Sequence, residues 1–190
     1  MSFFWGYGNF LSAWEDRPCA IRGEIMEIFR GRRLWIERSN VHFPNGVESD
    51  KVTVHPGAAV AILPRTDSGY KLLRQYRYAI GQYIYEVPAG TMEEGEDPLA
   101  TAHRELIEET GVAAGTMIPR GFIYTTPGYT DEKIWLFEAR DLSPSHEFEK
   151  DADEVIEVID VTRNEMNTMI ADGRICDAKT ICLFQRCKEK

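Results

Sequence analysis

Between residues 20 and 53, apolar and polar positions alternate in three short runs, IRGEIMEIF, RRLWIERSNVHF and ESDKVTV, broken at Arg30-Gly31 and at Pro44-Asn45-Gly46. Alternation with period two lays one face of a strand on a core, and Asn-Gly between two such runs is the sequence of a tight hairpin. The segment therefore predicts a small antiparallel sheet. Three short strands have little core of their own, so the sheet is expected to pack on the rest of the chain or to pair across a dimer. His55-Pro56-Gly57 then interrupts the pattern, and AAVAILP follows without a polar position, as in a strand buried on both faces. YKLLRQYRY and QYIYEVP predict two more strands, and residues 115–124, 132–139 and 156–161 a further three.

Helical spacing appears in three places. Asp97 before Pro98 is a side-chain cap followed by proline at the first helical position, and Gly111 is a stop, which predicts a helix over residues 98–110. Leu99, Ala102, Leu106 and Thr110 fall on one side of it. Glu105, Glu108 and Glu109 fall within about 100° on another, with Arg104 beside them. Thr162 can cap a second helix to about residue 171, ended by Gly173. Asp177 opens a third, with Ile181, Phe184 and Cys187 at the spacing of a buried face. Strands around one helix, followed by two helices, predict an α/β fold with a mixed sheet between helices. The division expected is a β-rich segment over residues 1–50 and a second domain over residues 51–190.

Composition narrows the function classes. A net charge of −9 argues against a surface for the phosphate backbone of nucleic acid. Four cysteines without a CxxC pair argue against zinc, and a chain of 190 residues needs no disulfide staples, so reduced cysteines are expected. The opening MSFFWGYGNFLSAWED is aromatic but has no basic leader. No run approaches the roughly 18 apolar residues of a membrane span. A cytoplasmic protein is expected, its aromatic terminal segment docked on the body or on a partner chain.

The three glutamates carry the chemistry. Like charges at these helical spacings repel, and a bound cation removes the conflict. Oxygen ligands alone suit hard ions such as Mg²⁺ or Mn²⁺, which in turn hold phosphate oxygens. Residues 90–112 read GTMEEGEDPLATAHRELIEETGV, in which Gly90, Glu96, Arg104, Glu105, Leu106, Glu108, Glu109, Gly111 and Val112 fill every fixed position of the Nudix signature. The chain thus resembles a Nudix hydrolase, and the resemblance implies a Nudix α/β/α sandwich. RQYRY, YEVPAG, and Pro127-Gly128 in TTPGYTDE, sixteen residues beyond Gly111, are similar to the ADP-ribose and nucleoside diphosphate sugar pyrophosphatases of that family. Members of that branch carry an N-terminal sheet and dimerise through it, so a homodimer is expected.

The resemblance implies site roles. Glu105, Glu108, Glu109 and the backbone carbonyl of Ala89 would hold the metal, with Arg104 orienting the carboxylates and Glu96 steadying the loop or assisting the outer coordination. The base for the attacking water is expected in EKDADEVIEV, as Glu154, with Asp153 and Asp151 as alternatives because Ala152 stands within the acidic run. Arg74 and Arg77 are candidates for phosphate contact. Their odd spacing sends them to opposite faces of a strand, so one of the two is expected to reach it. Glu86 is a candidate for hydrogen bonds to base or ribose, Trp35 for stacking or packing, and Pro127 and Gly128 for the substrate loop. His103 reads as a surface residue. The implied activity is Mg²⁺- or Mn²⁺-dependent hydrolysis of ADP-ribose or a related nucleoside diphosphate sugar, with a GDP-mannose-preferring or broad nucleotide-sugar hydrolase as the alternative. A non-catalytic Nudix-fold regulator is the rival from another class; such proteins usually lose box carboxylates, and all four are present here.

Overall fold

Alternation in the first quarter of the chain produces strands β1 (Ile21–Arg30), β2 (Trp35–His42) and β3 (Glu48–His55), which form one sheet in that order. A computed structural model describes residues 21–145, 147–148 and 155–188. The β2–β3 turn is the predicted hairpin: the amide of Phe43 donates to the carbonyl of Val47, and Gly46 takes φ 80°, the left-handed conformation that favours glycine. The chain divides into two compact units at Val54/His55. The aromatic opening segment lies outside the described residues.

The second unit is built on a strand with no polar position. β4 (Ala59–Pro64) is central because both its faces can be buried. Val60 and Ile62 point into one apolar cluster, with Ala102, Leu106, Phe137 and Ala139. Ala61 and Leu63 point into the other, with Leu72, Leu136, Met166, Leu183 and Phe184. β9 (Lys133–Pro144) runs parallel to β4 and alternates in the same way, Ile134 and Leu136 to one cluster and Phe137 and Ala139 to the other. β7 (Ala89–Thr91) and β8 (Val112–Tyr124) complete a mixed sheet of order β7-β4-β9-β8. β5 (Gly69–Arg77), β6 (Gln82–Glu86) and β10 (Ile156–Thr162) form an antiparallel sheet of order β10-β5-β6.

Three helices follow the predicted bounds: α1 (Pro98–Thr110), α2 (Arg163–Ala171) and α3 (Ala178–Arg186). α1 contributes Ala102 and Leu106 to one cluster, while α2 and α3 contribute Met166, Met169, Leu183 and Phe184 to the other. This is the α/β/α arrangement expected, with the strands divided between two sheets. The buried face of α1 comprises Thr101, Ala102, Leu106, Ile107 and Glu109, whereas Leu99 is 37 % exposed in the first turn.

Two features depart from the sequence pattern. β8 begins three residues before the predicted start and β9 ends five residues after the predicted end, paired from Val112↔Pro144 to Tyr124↔Lys133. Pro119 sits within β8 without cost because β8 is the sheet edge, where a missing N–H need not be paired. Residues 89–91, just beyond the predicted strand QYIYEVP, form an edge strand on β4, with Val60 opposite Gly90.

Candidate active site

The site begins with why α1 starts where it does. Asp97 Oδ2 accepts the amides of Leu99 and Ala100, each at 3.1 Å, and Pro98 follows it. Gly111 closes the helix at φ 69°, its amide donating to the Ile107 carbonyl at 2.8 Å. Fixed at both ends, α1 presents Arg104, Glu105, Glu108 and Glu109 toward β7 and the turn that follows it.

Arg104 gathers the carboxylates. Its Nη1 donates to Glu105 at 2.8 Å and to Glu108 at 2.9 Å, while Nε and Nη2 each reach Glu96 at 3.3 Å. Burial opposes the guanidinium charge, but the hydrogen bond to Glu96 and the fields of Glu105 and Glu108 outweigh it and bind the proton more firmly than usual. Partial burial likewise pushes the Glu96 carboxyl up. The amide of Glu93 and the side chain of Arg104 overcome this and hold it below the ordinary carboxylate range. The Glu93 amide donates to Glu96 Oε2 at 3.0 Å, so Glu96 ties the turn to Arg104 on the helix.

Glu105 and Glu109 reach back to β7. A Cβ added to Gly90 would lie 1.9 Å from the Glu105 carboxyl carbon and 2.0 and 2.2 Å from its oxygens, so the carboxylate rests directly against glycine backbone. Glu109 is 4 % exposed and accepts the Ala89 amide at 2.8 Å. The four residues expected to hold a metal are thus brought to one place. They offer only oxygen donors, and one guanidinium nitrogen already stands as a positive charge between two of them. That donor set fits a hard divalent cation. Among the described residues, no three acidic, histidine or cysteine side chains already converge as a finished cage. Arg104 and the Ala89 amide hold the carboxylates in the positions seen.

The substrate candidates separate. Register puts Arg74 and Arg77 on opposite faces of β5, Arg74 opposite Tyr85 and Glu157, Arg77 opposite Gln82. Arg74 lies over the Tyr83 ring at 4.1 Å and reaches Glu157 at 3.4 Å. Arg77 makes a bidentate pair with Glu86 at 2.7 and 2.8 Å. Burial alone would lower the Arg77 pKa, yet Glu86 raises it, and Glu109 on α1 and Asp177 add to the rise. Glu86 is fully buried and also accepts from Lys179. Its carboxylate is therefore occupied within the protein, and the expectation that it offers hydrogen bonds to base or ribose does not describe the state seen.

Pro127 and Gly128 form an exposed turn, with the amides of Tyr129 and Thr130 donating to the Thr126 carbonyl at 3.2 and 3.1 Å. Trp35, in the first unit, lies half-buried under the Arg30 guanidinium at 5.1 Å. His103 is half-buried on α1. Glu154, Asp153 and Asp151 lie outside the described residues.

Sequence reasoning missed the support behind Glu86. Lys179 bridges Glu86 and Asp177, Asp177 caps α3 through the Thr180 amide, and Thr180 Oγ1 accepts the Val87 amide at 2.9 Å. Asp177 was legible as a cap; its role in anchoring the strand before Ala89 had no local signal. The described cysteines, Cys176, Cys182 and Cys187, are free thiols, and burial pushes Cys187 up to about 11.

Comparison with known proteins agrees with this geometry. The NUDIX domain family model matches residues 55–184. The chain is 40 % identical over 162 residues to an ADP-ribose pyrophosphatase of Bacillus subtilis (strain 168), covering 84 % of this chain and 87 % of that protein. It is 38 % identical over 161 residues to a methanol dehydrogenase activator of Bacillus methanolicus, with the same coverage of each, 84 % and 87 %. A crystal structure described as an ADP compounds hydrolase superposes with a TM-score of 0.79 at 24 % identity, covering 89 % of this chain and 92 % of that one, a likeness of fold.

Proposed function

The chain belongs to the Nudix family, and from that premise we propose that it hydrolyses the diphosphate bond of ADP-ribose or a related nucleoside diphosphate sugar, releasing a nucleoside monophosphate and a sugar phosphate. The observation that carries this reading is the contact of Glu105 with Gly90, beside Glu109 on the Ala89 amide. It seats acidic side chains from the helix against the strand backbone, where a hydrated divalent ion and a diphosphate could share one pocket.

Diphosphates are inert because their oxygens repel a nucleophile and the leaving phosphate departs with charge. Mg²⁺, or Mn²⁺ in its place, would be held by Glu105, Glu108, Glu109 and the Ala89 carbonyl, and when bound supplies positive charge against the diphosphate oxygens. The protein does the rest. Arg104 holds Glu105 and Glu108 side by side through one guanidinium nitrogen. Arg77, 38 % exposed and fixed by Glu86, retains guanidinium N–H groups for a phosphate oxygen. Glu154, with Asp153 or Asp151 in its stead, takes the proton from the attacking water. Pro127 and Gly128 border the substrate.

The working form is a homodimer joined through the first sheet. The exposed Ile25, Met26, Ile28 and Phe29 of β1, each more than half exposed, support this reading. Cytoplasmic placement agrees with the absence, among the described residues, of a helix long and apolar enough to cross a membrane.

The test is a panel of ADP-ribose, GDP-mannose and UDP-glucose with Mg²⁺, each with and without EDTA. AMP release from ADP-ribose, abolished by EDTA, is expected. A faster initial rate on GDP-mannose would move the preference to that sugar nucleotide, and no product from any of them would reject the hydrolase. Tight ADP-ribose binding in Mg²⁺ without cleavage would instead favour a regulator.

A further inference from the structure

His55, Pro56, Gly57 and Ala58 lead into β4. The first residue of β4, Ala59, stands opposite Thr91 at the end of β7 and opposite Ile134 near the start of β9. β7 runs out into the turn that precedes α1, and β9 is entered from the loop of residues 125–132. The lead into β4 therefore lies between the turn before α1 and the 125–132 loop. It is bonded to both. The Met92 amide donates to the Ala58 carbonyl at 2.9 Å, and His55 Nδ1 lies 2.7 Å from Asp131 Oδ2.

An ionised carboxylate only accepts, so Nδ1–H is the donor. The imidazole is 9 % exposed and Asp131 is 53 % exposed. Packing thus fixes the ring, and the ring in turn fixes an otherwise solvated loop residue. The loop shapes itself through Thr125 Oγ1 donating to Glu132 Oε2 at 2.6 Å, the Glu132 amide donating to Thr130 Oγ1 at 3.1 Å, and the turn at Thr126. Those bonds set its internal form. The contact with His55 sets where it stands relative to β4 and, through Ala58 and Met92, relative to the turn before α1.

We propose that His55 is a positioning residue that, through Asp131, holds the 125–132 loop in register with the diphosphate site for a nucleoside diphosphate sugar. The proposal rests on the reading of Pro127 and Gly128 as substrate neighbours. Asp131→Ala removes the acceptor at a half-exposed position, so the fold is retained. Asp131→Asn keeps an oxygen that Nδ1–H can use. In Asp131→Ala, KM for ADP-ribose rises about five- to tenfold with kcat within about twofold, and the amides of Tyr129 and Thr130 exchange with deuterium about fivefold faster. Asp131→Asn restores both readings toward wild type, and His55→Gln combined with Asp131→Ala is no worse than either alone. Unchanged KM and exchange in Asp131→Ala, or an Asp131→Asn variant as impaired as Asp131→Ala, would overturn the proposal. Should the wild-type protein cleave no nucleotide sugar, the hydrolase reading falls, and the exchange rates alone decide whether His55 holds the loop.

Discussion

Two charge clusters in the second unit are built as inverses. Around Arg104 on α1, three carboxylates, Glu96 from the preceding turn and Glu105 and Glu108 from the helix, share one guanidinium. Around Glu138 on β9, three guanidinium groups, those of Arg65, Arg120 and Arg140, share one carboxylate. Glu138 is only 1 % exposed at its side chain, and the arginines cover it from strands β8 and β9 and from the end of β4. Its negative charge is more than compensated in place, and nothing further is needed to bury it. The α1 cluster is the reverse: the anion is in excess and the one cation is divided. A surplus of carboxylate in fixed geometry is the condition for taking up a divalent ion, whereas an over-compensated buried carboxylate is a structural tie. The difference teaches that charge balance within a cluster, more than the number of charges, separates a site from a brace.

If that distinction holds, charge removal should cost activity in one cluster and stability in the other. Glu109→Gln or Glu108→Gln should lower kcat by about a hundredfold to a thousandfold, with a urea midpoint near wild type, measured by AMP release from ADP-ribose. Near-normal rates would erase the contrast. Gly90→Ala inserts a carbon where the Glu105 carboxylate rests, and displacing that ligand should cost about a hundredfold in kcat. Glu138→Gln should leave kcat within about twofold but destabilise by about 2 kcal/mol in urea unfolding, the partial exposure of the arginines reducing the penalty of a fully buried broken pair.

The smallest effect is in pH. Burial pushes the Glu138 carboxyl up, but Arg140 and Arg120 overcome it, leaving its pKa below the ordinary value of 4.5. A carboxylate whose folded pKa is depressed gives stability that is complete above its unfolded pKa and is lost as pH falls through the folded value. Wild type should therefore lose stability below about pH 4.5 more steeply than Glu138→Gln, a difference read from urea midpoints across acidic pH.

Much of the α1 side was legible because its information is local. Asp97-Pro98 and Gly111 set the helix, and the glutamate spacing put the ligands on one arc before any tertiary contact was known. Gly90 was legible as a fixed position of the signature, though not its reason, which is a side chain arriving fifteen residues later in the chain. The β9 cluster left no such trace. Arg65 follows β4, Arg120 lies on β8, and Glu138 and Arg140 lie on β9, and only the parallel pairing of β4 with β9 and the antiparallel pairing of β8 with β9 bring them together. The same holds for Glu86, which reads as a strand-end polar residue until Arg77 and Lys179 close over it. The start of β8 left no trace for a related reason: Ala113 and Ala114 are poor strand formers, and their pairing to β9 is decided by the partner rather than by propensity.

The most direct measurement is Mn²⁺ binding followed by electron paramagnetic resonance, on wild type and on Glu109→Gln, in the absence of nucleotide. The account predicts saturable Mn²⁺ binding to wild type, displaced by Mg²⁺, and weakened at least about tenfold by the single substitution. Equal Mn²⁺ affinity in the two proteins, or no saturable binding to either, would contradict the claim that the α1 carboxylates form a divalent-ion site.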